Sequence, residues 1–399
     1  MVTPIGNGVE SYWNSLLNGR SGIGPITLFD TGGSAVKIGG EVRNLDFSEH
    51  ISPEDSRKMS RASKLAVVAA QMAREDSAID LDAAGRDRVD VFMGVACMDF
   101  DTLAKDISRR VRNPDRRHSP LLAARSVVSA PAGNVSVSLG LRGEVTTVST
   151  ACSSSTNALG QALRRIRSGE SKVIFAGGTD AGVQADLVAS FACGGSLSTR
   201  NADPQGASRP FDAGRDGHVV SEAAAVLVLE DYEHARARGA RIYAEVVGYG
   251  ASNDAHSMYE VCPDETVAAE CVKRTLADSG RNVGQVDFYC AHGSSSPLTD
   301  ARETRMLKRA LGNHAYSVPI SGIKSMIGHP FGASGAVQAA SCALAVSRGE
   351  IPPTINYESP DPECDLDYVP NQAREGPVRL AMCYSLGMGN NATLALAAC

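Results

Sequence analysis

Apolar positions in this chain come in short runs, with no unbroken stretch of the roughly 20 residues that span a bilayer. Val145-Thr146-Thr147-Val148-Ser149 is β-branched and reads as a buried strand. A small-residue turn from Thr150 to Ser155 follows, then helical spacing through Arg167, ending near Gly169. Val173-Ile174-Phe175-Ala176 reads as the next strand, closed by Gly177-Gly178, and Ala225 to Leu229 as another. A second set opens near Arg241. Val286 to Ala291 reads as a strand, 300–311 as a helix, Val318 to Ser321 as a short strand and 332–348 as a small-residue helix. Leu380 to Ser385 and Ala392 to Ala397 read as strands joined by a glycine turn. This alternation predicts a mixed α/β protein. Each set places a reactive side chain at a strand-to-helix junction. Two similar halves are expected, 1–240 and 241–399, joined by a basic helical segment from Ala235 to Arg241.

Composition narrows the function classes. The 39 glycines and the low aromatic content (5%) suit an enzyme whose helices approach strands closely. With 39 basic against 45 acidic residues the net charge is −6, so no whole-molecule basic field for nucleic acid exists. None of the ten cysteines forms a CxxC pair or sits at zinc spacing with any of the eight histidines, so no metal site is expected. Scattered cysteines in a long chain read as a reduced, cytoplasmic protein. Met1 to Gly8 has neither the basic nor the apolar region of a signal peptide, and no membrane association is expected.

Four places carry candidate chemistry. Cys152 lies between a strand and a helix whose first amides carry partial positive charge, which favours a thiolate nucleophile; a buried structural thiol is the other reading. His292 follows a strand end, where ligand crevices open, or it caps the next segment. His329 lies among Gly328, Pro330 and Gly332, with Lys324 five residues earlier; a packing turn would look the same. Gly387-Met388-Gly389-Asn390-Asn391 is a hairpin turn or one that aims backbone N–H groups at an oxyanion. Together they make coherent chemistry. A thiolate becomes acylated, two neutral imidazoles donate to an enolate oxygen, and two amides hold a tetrahedral oxyanion. That is carbon–carbon bond formation by decarboxylative condensation.

Three segments carry a family resemblance: Thr150-Ala151-Cys152-Ser153-Ser154, the run from Ala291 to Asp300, and Lys324-Ser325-Met326-Ile327-Gly328-His329. They resemble the active-site motifs of the Cys-His-His β-ketoacyl-ACP synthases, and the likeness extends through Ser198 to Asn201, Ala207 to Asp212 and Pro362 to Pro370. The resemblance covers essentially the whole chain. Its nearest groups are the elongating synthases of fatty acid synthesis and the ketosynthase subunits of type II polyketide synthases, with Asp361 to Pro370 and Asp231 to His234 leaning to the latter. It implies the thiolase fold, layered α-β-α-β-α. It implies that Cys152 carries the acyl chain, that His292 and His329 assist decarboxylation of malonyl-ACP, and that Lys324 supports His329. The amides of Cys152 and Met388 would form the oxyanion hole. Ser294 and Ser296 would bind the pantetheine arm, with Phe191 and Met388 lining the acyl pocket. Asp300, Glu303 and Glu222 match acids that stand behind the catalytic groups. No cofactor is implied, because substrates arrive on the phosphopantetheine arm of an acyl carrier protein.

The chain also departs from the family pattern. Gln338 stands where a Glu near the lysine is usual, and the turn bearing Met388 is one residue short. Ser221 and Ala223 fall in a usually glycine-rich site. Before Val2 the family has a strand that is normally central in the sheet, and the expectation is that the start codon is misassigned. For the acidic carrier protein, Arg57, Lys58, Arg61 and Lys64 fall on neighbouring helical turns, and Arg116 with Arg117 makes a second basic pair. The family forms homodimers, or heterodimers with a chain-length-factor-like homologue. Three rival readings remain. A silent partner subunit would lack Cys152. A degradative thiolase would carry Cys-x-Gly where Cys383-Tyr384-Ser385 stands. A synthase that only primes would have Asn in place of His329.

Overall fold

Two helices, one buried on every side for most of its length and the other in its first two turns, form the middle of the molecule in the computed structural model, which describes residues 1–399. Ser334–Arg348 is buried at each position from Ser334 to Ala345, and Ser154–Arg167 from Ser154 to Gly160. A helix with no polar face has to be covered all round. Small side chains allow that here: a Cβ at Gly335 would collide with Thr156, and one at Gly160 with the Tyr249 ring. A sheet lies on each side of this helix layer. Outside the first sheet pack Arg61–Ser77 and Ala130–Leu139; outside the second packs Thr266–Ser279, with Pro297–Leu311 against it. The result is the α-β-α-β-α layering expected of the thiolase fold.

The two sheets repeat one order. In the first, Val145–Val148, Val89–Gly94 and Val173–Ala181 run parallel, followed by antiparallel Glu222–Glu230 and Val2–Thr3. In the second, Ile320–Ser321, Phe288–Cys290 and Leu380–Gly387 run parallel, followed by antiparallel Asn390–Ala397 and Glu245–Asn253. Gly6–Asn7 adds a sixth strand to the first sheet. The halves differ at one place. Glu245–Asn253 pairs along the whole of Asn390–Ala397, whereas Glu222–Glu230 is met on its outer side only at Val2↔Ala224. The rest of that edge faces a groove of about 750 Å³ lined by Val226, Leu229, Tyr243 and Leu344.

Two sequence readings need correction. Gly177-Gly178 do not close their strand, which runs on to Ala181. They are small because a Cβ on Gly177 would strike the Ala225 carbonyl and one on Gly178 would lie 2.5 Å from Ser155 Cβ. The joining helix is Tyr232–Ala237, and Gly239 at φ +69° ends it, so Arg238 to Arg241 are not helical.

Candidate active site

Cys152 sits at the end of a cramped turn between Val145–Val148 and Ser154–Arg167. Ala151 before it is left-handed (φ +53°), a conformation costly for a residue with a Cβ. The Ser154 hydroxyl donates to Ala151 O (2.5 Å) and accepts from the Thr150 N–H (2.9 Å), while the Ser153 hydroxyl donates to Thr150 O (2.8 Å). The sulfur is not held ionised, contrary to the expectation from the helix terminus. Burial pushes the Cys152 thiol up to about 12, Asp180 adds to this, and Lys324 pulls the other way. At neutral pH the group therefore rests as a thiol. Gly387 lies against its backbone, where any Cβ would collide with Cys152 N.

His292 is fixed from both sides of its strand end. Glu303 accepts from the N–H groups of His292 (2.7 Å) and Gly293 (2.8 Å). Asp300, three residues earlier on the same helical face, accepts from Ser294 N (3.0 Å), Ser295 N (3.1 Å) and Phe211 N (2.9 Å). Burial raises both acids, Asp300 to about 6 and Glu303 to about 7. Lys324 donates to His292 O at 2.6 Å, so its hydrogen bond supports His292 and not His329 as expected. Gln338 Nε2 donates to Ala291 O (2.6 Å) and Tyr384 O (2.9 Å), and its Oε1 accepts from Ser385 (3.0 Å). It ties the strand before His292 to its neighbour. On the ring, Nδ1 accepts from the Leu386 N–H at 3.2 Å. A neutral imidazole that accepts at Nδ1 carries its proton on Nε2, so His292 is a donor.

His329 is clamped by an adjacent segment: its N–H donates to Val219 O (2.7 Å) and its carbonyl accepts from Ser221 N (3.1 Å). Its Nδ1 meets the Ser334 hydroxyl at 3.2 Å. When that hydroxyl donates, His329 also carries its proton on Nε2. The two rings stand 5.3 Å apart and nearly perpendicular. Burial, then Lys324, holds both well below the usual 6.5 of histidine, so both are neutral at pH 7. A third ring, His218, lies 5.4 Å from His329, is lowered to about 4 by burial, and has an unpartnered Nε2. Sequence reading passed over it, and likewise over Asp180, which accepts from the N–H groups of Ala96 (3.0 Å), Cys97 (2.9 Å) and Gly332 (2.6 Å). A lone Asp inside an apolar strand was the available signal for the second; the first had none beyond a His beside Gly217.

The remaining expected residues divide. Phe191 stacks on Phe331 (5.4 Å) and packs with Cys152 and Cys97 on one apolar cluster, as an acyl wall would. Ser294 is buried and its hydroxyl reaches Asp300 only at 3.4 Å; Ser296 is half-buried at the start of Pro297–Leu311. Met388 is left-handed (φ +47°), and its side chain is 51% exposed on the turn, not buried in an acyl pocket. Glu222 binds Arg61 (2.5 and 2.6 Å) and Val42 N (2.7 Å), and so bonds to no catalytic group. The basic row is not one helix, because Pro53–Lys58 ends at extended Met59 and Ser60 caps a second helix from Arg61. Arg57, Arg116 and Arg117 are exposed, Lys58 pairs with Glu54 (2.8 Å), and Lys64 turns into a chamber described below. No group of three or more His, Cys, Asp or Glu side chains is placed to hold a metal ion, and no helix is long and apolar enough to cross a membrane.

Two neutral imidazoles 5.3 Å apart and a thiol share one strand end, where Leu386 bonds the His292 ring and Gly387 packs on the Cys152 amide; on a doubled α/β frame this defines a thiolase-fold condensing acyltransferase. Residues 1–235 match the β-ketoacyl synthase N-terminal domain and residues 243–358 the C-terminal domain. The chain belongs to the β-ketoacyl synthase family. It is 40% identical to 3-oxoacyl-[acyl-carrier-protein] synthase 2 of Synechocystis sp., over 99% of this chain and 95% of that one. The corresponding Staphylococcus aureus protein is 37% identical, over 98% of both. Among solved structures, the ishigamide ketosynthase/chain length factor superposes with a TM-score of 0.93 at 36% identity, covering 100% of this chain and 97% of that one. A type II polyketide ketosynthase bound to its acyl-carrier protein and a hexaketide gives 0.90 at 32%, with the same coverage.

Proposed function

We propose that this protein extends an acyl chain by two carbons through decarboxylative Claisen condensation, in a type II polyketide or specialised fatty acid pathway. Acyl transfer comes first. The Cys152 sulfur attacks an acyl thioester, its proton passes to the departing carrier thiol, and the acyl group remains on Cys152. Malonyl-ACP then enters, and His292 and His329 donate from Nε2 to its thioester oxygen as CO₂ leaves and an enolate forms. The enolate carbon attacks the Cys152 thioester, and the amides of Cys152 and Met388 hold the oxyanion. The sulfur leaves and regains a proton, and a 3-ketoacyl-ACP departs. Such donors contribute about 3–4 kcal/mol each where one has been removed from an acyl-transfer site. Decarboxylation supplies the carbanion, so the sequence needs no cofactor beyond the phosphopantetheine arm, which Ser294 and Ser296 would hold.

The observation that carries this reading is the tautomer of His292, fixed as a donor by the Leu386 N–H. The protein would work with an acyl carrier protein, as a homodimer or beside a chain-length-factor-like homologue, in the cytoplasm. Relatives named as ACP synthases and solved ketosynthase complexes support the partners. Incubation with acyl-ACP and malonyl-ACP, followed by mass spectrometry, is expected to find acylated Cys152 and a product longer by two carbons, both absent in Cys152→Ala. Acylation without any extension, alone and with neighbouring homologues added, would overturn it.

A further inference from the structure

Beyond Cys97 lies a chamber of about 280 Å³. Cys97 and Val183 border it, and Cys97 and Cys152 both pack against the apolar cluster to which Val183 belongs. Its lining is rich in cations: Arg61, Lys64, Lys105 and Arg125 all belong to it. Two of these cations have partners. Arg61 is bound by Glu222, and Lys105 lies 3.9 Å from Asp101. The other acid on the wall, Asp99, caps Phe100–Arg112 by accepting from Thr102 N and Oγ1.

Lys64 and Arg125 have no carboxylate within ion-pair distance. The Lys64 ammonium rests 5.7 Å over the Phe47 ring, and burial, then Arg125 and Arg61, lower its proton affinity. Arg125 makes one side-chain hydrogen bond, to Thr102 Oγ1 at 3.5 Å, and its Nε is buried without a partner. Two half-buried cations facing each other without a counterion repel, and an anion between them would relieve this. A guanidinium is shaped to bind a carboxylate in particular.

We propose that this chamber binds the acidic far end of an acyl chain, a carboxylate at the ω position, between Lys64 and Arg125. The methylenes of such a chain run along the Cys97 and Val183 wall from the thioester on Cys152. The proposal rests on the reading of Cys152 as the acylated thiol.

The test compares octanoyl- and suberyl-pantetheine, which match in length and differ in a terminal carboxylate, by the rate at which intact-mass spectra gain an acyl group on Cys152. Neither needs a carrier protein, so docking does not enter. Suberyl is expected to react about fivefold faster in kcat/KM, the scale of one partly screened charge-assisted contact. In Lys64→Gln/Arg125→Gln the ratio is expected to fall to about one, and in Lys64→Arg, which keeps the charge, to persist. Octanoyl reacting as fast or faster in the wild type, or a ratio that survives the double substitution, overturns the acidic site and leaves Cys152 acylation standing. If neither thioester labels Cys152, the reading of the nucleophile fails first and this proposal falls with it.

Discussion

Gln338 puts an amide where a carboxylate would face the carbonyl oxygens of Ala291, Tyr384 and Cys290 at 2.6 to 3.3 Å. Its two N–H donors are what this crowd of acceptors requires. Gln338→Glu, which restores the residue usual in the family, is therefore expected to destabilise the fold by about 1–3 kcal/mol in denaturant titrations at pH 8. It should also slow condensation about tenfold, because the strand end that aims His292 loses its tie. Unchanged stability and rate would show that this site tolerates a protonated acid. The imidazoles give a second prediction. Both titrate well below 6.5, so the ring NMR signals of His292 and His329 are expected not to shift as pH falls through 6.5; a transition centred there would mean that the ring is exposed to solvent. Glu303 titrates the other way. Its folded-state value of about 7 is raised from 4.5, so its contribution to stability is fully present below 4.5 and is lost as pH rises through 7. The stability gap between wild type and Glu303→Gln should shrink across that window, and a gap that widened would reverse the sign.

At the scale of elements, the site stands on how closely the two central helices cross. Gly335 has no room for a methyl group against Thr156, so Gly335→Ala is expected to cost about 1–3 kcal/mol and to reduce the rate of the proposed Cys152 acylation, since Thr156 lies in the first turn after Cys152. A stability within experimental error of wild type would mean that the crossing relaxes freely. The same crowding explains what the sequence pattern could and could not reveal. Strand-helix alternation and the positions of Cys152, His292 and His329 were legible, because each sits among small residues, a local signal, the first two just past a strand end and His329 in a glycine-flanked turn between two helical segments. Gly177-Gly178 were misplaced as a strand end, since a glycine pair marks either a turn or a close approach, and only the Ala225 carbonyl and Ser155 beside them decide which. The bond from Lys324 to His292, the ties of Gln338 and the presence of His218 all join segments far apart in the chain, so no local pattern encodes them. The ionisation of Cys152 was misjudged for a related reason: the helix terminus is visible in sequence, whereas the burial that raises the thiol is not.

For the whole molecule, the doubled sheet order means that each half can be read against the other. Val173–Ala181 in the first sheet and Leu380–Gly387 in the second each lie between one parallel and one antiparallel neighbour. Charge poses the remaining question at this scale, since a protein of net charge −6 has to attract an acidic carrier protein. A local patch resolves it only if its cations are free. Arg61 is bound to Glu222, Lys58 to Glu54 and Asp55, and Lys64 faces the chamber, which leaves exposed Arg57, Arg116 and Arg117. Arg116→Glu/Arg117→Glu is expected to lower kcat/KM for malonyl-ACP about tenfold at low salt, with the loss fading as ionic strength rises through the range where screening lengths fall below about 10 Å. Malonyl-pantetheine, which has no carrier to steer, should be used by the double variant as well as by wild type. An equal loss with both donors would place these arginines in the fold or the pantetheine channel, and a salt-independent loss would take electrostatic steering out of the docking step.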